Sequence, residues 1–163
     1  MADEVPSQWL GGLPYRIWRA NQSLHRLVVD AIDDLGVTVT QLGITVHLDE
    51  LGHMSASDLA RLFRLTPQST TTALNRLESL GWVKRVPHPI HKRVIWYEVT
   101  AKGIEMADAG RTRVAAVNRE VVALLGDVDL EALSSALAAI SAAYDEDLPV
   151  GTMWPAVAQR ARG

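Results

Sequence analysis

A run of short polar side chains opens the most informative helix of this chain. From Pro67 the sequence reads PQSTTTALNR, presenting Gln68, Ser69, Thr70, Thr71, Thr72 and Asn75, with Thr66 just ahead and Arg76 at the end. Hydroxyl and amide groups of this length approach base edges and phosphate oxygens in a DNA major groove, and a helix N-terminus favours phosphate. A second set follows: Lys84 and Arg85 precede, and Lys92 and Arg93 close, a turn built from His88, Pro89, Ile90 and His91. Cationic groups on such a tip reach a minor groove, whose narrow A·T-rich stretches concentrate negative potential. The plainer explanations are a polar helix face that meets only water and, for Lys84, a solvated charge run. Arg76, with Glu78 close by, has a structural reading as well, bracing the hairpin.

Charge separates these groups from the rest of the chain. Between Ser55 and Gly103 lie eight basic residues (Arg61, Arg64, Arg76, Lys84, Arg85, Lys92, Arg93, Lys102) and three acids (Asp58, Glu78, Glu98). That is a local excess of five positive charges, against an excess of eight negative charges elsewhere, beneath a formal net charge of −3. A localised positive field beside a helix-turn-helix pattern is the electrostatic footprint of a duplex-DNA reader.

The elements that must hold these groups are legible from periodicity and punctuation. Residues 1–12 read as a flexible arm ending in Gly11-Gly12, after which Pro14 suits the first turn of a helix. Ile17, Leu24, Leu27, Val28, Ala31 and Ile32 continue it at helical spacing to about residue 35, where Gly36 stops it. A second helix, about Thr40 to Leu51, is apolar nearly all round and is expected to be buried, with Gly43 marking close packing. Ser55 and Asp58 make a capping signature ahead of Leu59, Leu62 and Phe63. Thr66 and Pro67 announce the next helix, which Gly81 ends. The short connection between these two helices, Arg64 and Leu65, fits a helix-turn-helix. Residues 82–87 and 93–99, rich in β-branched and aromatic side chains, predict a two-stranded hairpin.

Thr100 then caps a long helix to about Leu125, with Val114, Val117, Val121 and Leu124 on one stripe. Past Gly126, Leu130, Leu133, Leu137, Ile140 and Tyr144 step by three and four residues. Such spacing suits a helix packed lengthwise against others, including one from a second chain, or an ordinary core stripe. Residues 148–163 read as a tail that Trp154 could tack to the surface. The expected fold is mainly α (α+β): a winged helix-turn-helix lobe of about residues 53–100, with helices of about 13–35 and 104–147 as a dimerisation body.

The segment Thr38–Gly103 resembles the MarR family of winged helix-turn-helix regulators, most closely in LTPQSTTTALNRLESLGWVKR (Leu65–Arg85) and EVTAKG (Glu98–Gly103). The flanking helices fit, so the likeness covers nearly the whole chain. The resemblance implies an obligate homodimer on pseudo-palindromic double-stranded DNA, usually a repressor, relieved by a small aromatic or phenolic ligand. It places such a ligand where the first two helices meet, near Tyr15, Trp18, His25 and His47, with Val114 closing the far wall. One departure concerns the wing, where the family carries an Asp two residues before its tip arginine and this chain has His91 before Arg93. Neutral His91 accepts one hydrogen bond but does not neutralise the guanidinium, so a looser wing, and tighter DNA binding once His91 is protonated, are expected.

Other classes fit less well. No nucleophile motif, Gly-rich phosphate loop or H-E-x-x-H spacing supports an enzyme, and no cofactor is called for. His25, His47 and His53 lack ligand-like spacing, and zero cysteine removes thiolate metal sites, disulfides and thiol redox sensing. No apolar run approaches the roughly 20 residues that span a bilayer, and the acidic MADEVPSQWL argues against export, so a cytoplasmic protein is expected. The rival within the same fold is a winged-helix module that docks proteins, or a regulator without autonomous DNA binding. Such a module needs no basic stripe across helix and hairpin.

Overall fold

The computed structural model describes residues 11–88 and 93–144. Helix α1 (Leu13–Ile32) passes through a 3-10 turn (Asp33–Leu35) to α2 (Val39–Leu51). Strand β1 (Met54–Ser55), α3 (Ala56–Leu62), α4 (Pro67–Ser79), β2 (Val83–Pro87) and β3 (Ile95–Val99) form the winged lobe. The long α5 (Ala101–Leu125) and α6 (Leu130–Tyr144) follow. The arm before residue 11, the hairpin tip at 89–92 and the tail from residue 145, Trp154 included, lie outside the described residues.

Local signals explain most of the boundaries. Thr38 and Gln41 form a reciprocal capping box that starts α2 one residue ahead of the expected Thr40. Ser55 and Asp58 do the same for α3. Helices α3 and α4 then end in the same way. The Leu65 N–H donates to Ala60 O and that of Arg64 to Arg61 O; the Trp82 N–H donates to Leu77 O and that of Gly81 to Glu78 O. These are paired Schellman closures, with Arg64 (φ 51°) and Gly81 (φ 72°) in the left-handed position. Glycine tolerates that conformation freely, whereas arginine pays a steric penalty there.

The hairpin is extended by a third strand that two residues are too few to announce. Strand order is β1-β3-β2, all antiparallel, with Met54 opposite Tyr97 and Arg85 opposite Tyr97 from the other side. The inner face of the sheet joins α2, α3 and α4 in a core of Ile44, Leu48, Leu59, Ala73, Leu74, Leu77, Trp82, Val83 and Tyr97. Burial of α2 follows the sequence expectation, and a Cβ on Gly43 would stand 2.9 Å from the Phe63 ring. Leu51, at the end of α2, is exposed.

Helix α5 is stitched to the lobe at its first turn. The Thr100 hydroxyl accepts from the Gly103 N–H and shares its one proton between Gly81 O (2.6 Å) and Trp82 O (3.1 Å). Lys102 Nζ donates to Leu80 O at 2.9 Å. Further along, Arg111 joins α5 to α2 through Asp49 (2.6 Å) and Glu50 (3.2 Å), and Arg113 reaches Asp34 at 2.5 Å.

Candidate nucleic-acid interface

Helix α4 has two faces of opposite character. Ala73, Leu74 and Leu77 are buried against α2 and the sheet, while Gln68, Ser69, Thr71, Thr72, Asn75 and Arg76 are exposed. Thr66 is the N-cap, its hydroxyl accepting from the Ser69 N–H at 3.1 Å. Thr70 departs from the sequence expectation. It is fully buried and its hydroxyl donates to Thr66 O, because the i, i+3, i+4 spacing to Ala73 and Leu74 turns it inward.

The brace between helix and wing also differs from the one expected. Arg76 does not hold the wing; its guanidinium lies 3.5 Å from Gly36 O, next to α2. Arg85 does that work from β2. One Nη donates to Asn75 Oδ1 and pairs with Glu78, both at 3.1 Å, and the guanidinium sits 5.8 Å from the Tyr97 ring centre. Lys84 pairs with its cross-strand neighbour Glu98 at 3.1 Å. Arg93 is exposed at the far end of the hairpin. His91 and Lys92 lie outside the described residues.

The arrangement on the outer face of the sheet has no signature in the sequence. His53 stacks on Trp96 with ring centres 3.8 Å apart, and His88 approaches the same indole at 4.1 Å. The three rings come from three separate segments, so no local spacing signals the stack. Among the described residues no three His, Asp or Glu groups converge to hold a metal ion. No helix there is long and apolar enough to cross a membrane.

The four residues picked for a ligand crevice sit in different surroundings. Tyr15 and Trp18 pair with each other on α1 (5.7 Å), and His25 is exposed. His47 is a core residue: its Nδ1 donates to Gly43 O at 2.8 Å, its ring meets the edge of Phe63, and Nε2 is buried without a partner. An apolar cavity of about 440 Å³ lies between α1 (Leu24, Val28) and α5 (Val114, Val117, Val121), with Arg111 in its wall. Val114 is among its lining residues, and Tyr15, Trp18, His25 and His47 are not.

Known proteins are similar to this chain in sequence and fold. The MarR family model matches residues 35–94. The HTH-type transcriptional repressor Rv2887 of Mycobacterium tuberculosis is 30% identical over 125 residues, 77% of this chain and 86% of that protein. The multiple antibiotic resistance protein MarR of Salmonella typhimurium is 26% identical over 92 residues, 56% and 64% of the two chains. Two solved structures share the fold at 22% identity. The repressor CouR bound to a 23-mer DNA duplex has a TM-score of 0.76, covering 83% of this chain and 96% of that one. A mutant MarR from E. coli complexed with operator DNA has a TM-score of 0.73, covering 82% and 96%. Sequence and architecture thus agree, and the chain belongs to the MarR family of winged helix-turn-helix transcriptional regulators, a non-enzymatic family.

Proposed function

We propose that this protein represses transcription by occupying pseudo-palindromic duplex DNA as a homodimer, and that a small aromatic or phenolic ligand releases it. The observation that carries the reading is the two-faced α4, its polar side exposed, its apolar side buried in the lobe, and the wing held beside it through Arg85 and Glu78. In this reading the lobe of about residues 53–100 reads DNA, α4 entering one major groove per subunit. Arg93 with Lys92 probes the flanking minor groove, and the two lobes sit roughly 34–36 Å apart.

Helices of about 13–35 and 104–147 form the dimerisation body. Support comes from the apolar side chains they expose in a single protomer, among them Leu13 (62%), Leu124 (84%), Leu133, Leu137 and Ile140. Isolated exposed leucines are ordinary, but a stripe at steps of three and four along α6 suits a second copy. The cavity beside α5 has the size of a small-ligand site and lies next to the Arg111 link to α2. A ligand there acts by favouring one of two dimer shapes. The cytoplasm is where such a protein meets its operator, and a chain without cysteine fits that compartment.

The alternative within this fold is a protein-docking module or a regulator that needs a partner to bind DNA. The basic excess concentrated in residues 55–103 favours the duplex. Selection from random duplex DNA, followed by titration of the winner and a scramble across a salt series, tests the reading. A two-fold-symmetric site with a steep salt slope is expected. No enrichment by a chain that is dimeric by mass would reject autonomous DNA binding.

A further inference from the structure

The hydroxyl groups of α4 are not equivalent donors. Thr71 Oγ1 donates to Pro67 O at 2.8 Å and Thr72 Oγ1 to Gln68 O at 3.0 Å, although both side chains are exposed. A hydroxyl has one proton to give, so each of these is committed to the carbonyl four residues back. What remains outward is the γ-methyl group and the spare lone pairs of the oxygen. The bond holds each side chain against the preceding turn, so both methyl groups are in position before any DNA arrives. The Gln68 amide, by contrast, keeps its donors, with no side-chain partner among the described residues.

We infer that Thr71 and Thr72 read thymine, packing their γ-methyl groups on its C5-methyl and accepting, rather than donating, hydrogen bonds at that step. The inference rests on the DNA-binding reading above and supplies its base preference. In the major groove a T·A pair offers a methyl group and the N6 donor of adenine. A G·C pair offers a donor too, the cytosine N4 amino group, but no methyl group, so the methyl contact is what selects thymine. Burying one methyl group is worth roughly fourfold in affinity. The arginine-to-guanine contact, the commonest specific pairing, has no place at Thr71 or Thr72.

The test starts from the duplex enriched out of a random pool. Each thymine is replaced in turn by deoxyuridine, which lacks the C5-methyl, and each duplex is titrated with wild type, Thr71→Ser, Thr72→Ser and Thr72→Val. At one or two thymines per half-site, uracil weakens wild type about fourfold. The matching serine variant loses a similar factor on the thymine duplex and is indifferent to uracil, while Thr72→Val, which keeps a γ-methyl, stays sensitive. An operator bound tightly by wild type with every uracil silent overturns the inference and leaves DNA binding intact. Equal uracil sensitivity in wild type and both serine variants overturns it too, by assigning the methyl contact elsewhere. Failure to enrich any duplex removes the DNA-binding reading, and this inference with it.

Discussion

Arg85 of the wing and Glu78 of α4 face each other at 3.1 Å, and the same guanidinium donates to Asn75 Oδ1 one turn earlier. Two turns of the recognition helix are thereby held to one strand. The side chains are 50% and 37% exposed, so the pair adds less than about 1 kcal/mol to folding. Its effect is on the angle between helix and wing. Glu78→Gln is expected to shift Tm by less than about 3 °C. It should weaken operator binding about fivefold, roughly 1 kcal/mol. Affinity for a scrambled duplex should hold or rise, since a negative charge has gone. Competitive titration of the two duplexes checks this; an unchanged ratio would show that the wing angle is set elsewhere.

Arg111 carries a heavier structural load. Its side chain is 14% exposed and that of Asp49 9%, with Glu50 and Asp108 completing the cluster. Burial works against the guanidinium charge, but hydrogen bonds to Asp49 and Asp108 outweigh it and hold the pKa above the usual arginine value. Removing the cation strands a buried carboxylate, which costs about 3 kcal/mol. Arg111→Met should therefore lower Tm by roughly 6–12 °C. Adding Asp49→Asn should recover part of that loss. Strictly additive losses in the double variant would mean that the two groups do not depend on each other.

Acid stability has a local component at Asp58. The Ser55 hydroxyl donates to its carboxylate at 2.6 Å and is the main reason its pKa falls below 3.8; partial burial opposes the shift, and Arg61 adds to it. A carboxylate with a depressed folded pKa stabilises the fold above its unfolded value, and that contribution is lost as pH falls through the folded one. Ser55→Ala also removes an N-cap, so about 1 kcal/mol should be lost near pH 7. The gap between wild type and variant should narrow below about pH 4. Urea midpoints between pH 7 and pH 3 measure it, and a constant gap would place the acid sensitivity at other carboxylates.

Gly103 sits where the chain has no room for a side chain. An added Cβ would lie 2.1 Å from Trp82 O, a carbonyl already pinned by the N–H and hydroxyl of Thr100. Alanine is the better helix former by about 1 kcal/mol, yet Gly103→Ala should destabilise by roughly 1–3 kcal/mol because the backbone has to shift. At Gly110 the nearest atom is the end of the Leu42 side chain, 2.4 Å away, so Gly110→Ala should cost less. Denaturant midpoints of the two variants test the order.

Most of the framework was legible because it is written locally. Thr66, Pro67, Gly81 and Thr100 each act within a few residues of themselves, and they bracket α4 and the start of α5 as expected. Strand β1 was not legible: two residues carry no alternation, and Met54 and Ser55 become a strand only because β3 offers an edge. The site divides in the same way. The polar run on α4 can be read off directly, but the inward turn of Thr70 requires knowing where the core lies. That Arg85 rather than Arg76 braces the wing depends on a contact across ten residues and a turn. His47 is expected where the first two helices meet, and its packing against Phe63 is a tertiary outcome.

The stitching at Thr100 and Lys102 has a mechanical consequence. With Gly81, Trp82 and Leu80 all bonded to the first turn of α5, the end of the recognition helix and the root of the long helix form one joint with no slack. Helix α5 spans 25 residues, about 37 Å. A lever of that length multiplies small rotations: tilting it by about 5° at the far end carries the lobe through about 3 Å. That is close to the spacing of successive base pairs, so in the proposed complex a displacement too small to disturb any contact within the lobe would put α4 out of register with a major groove.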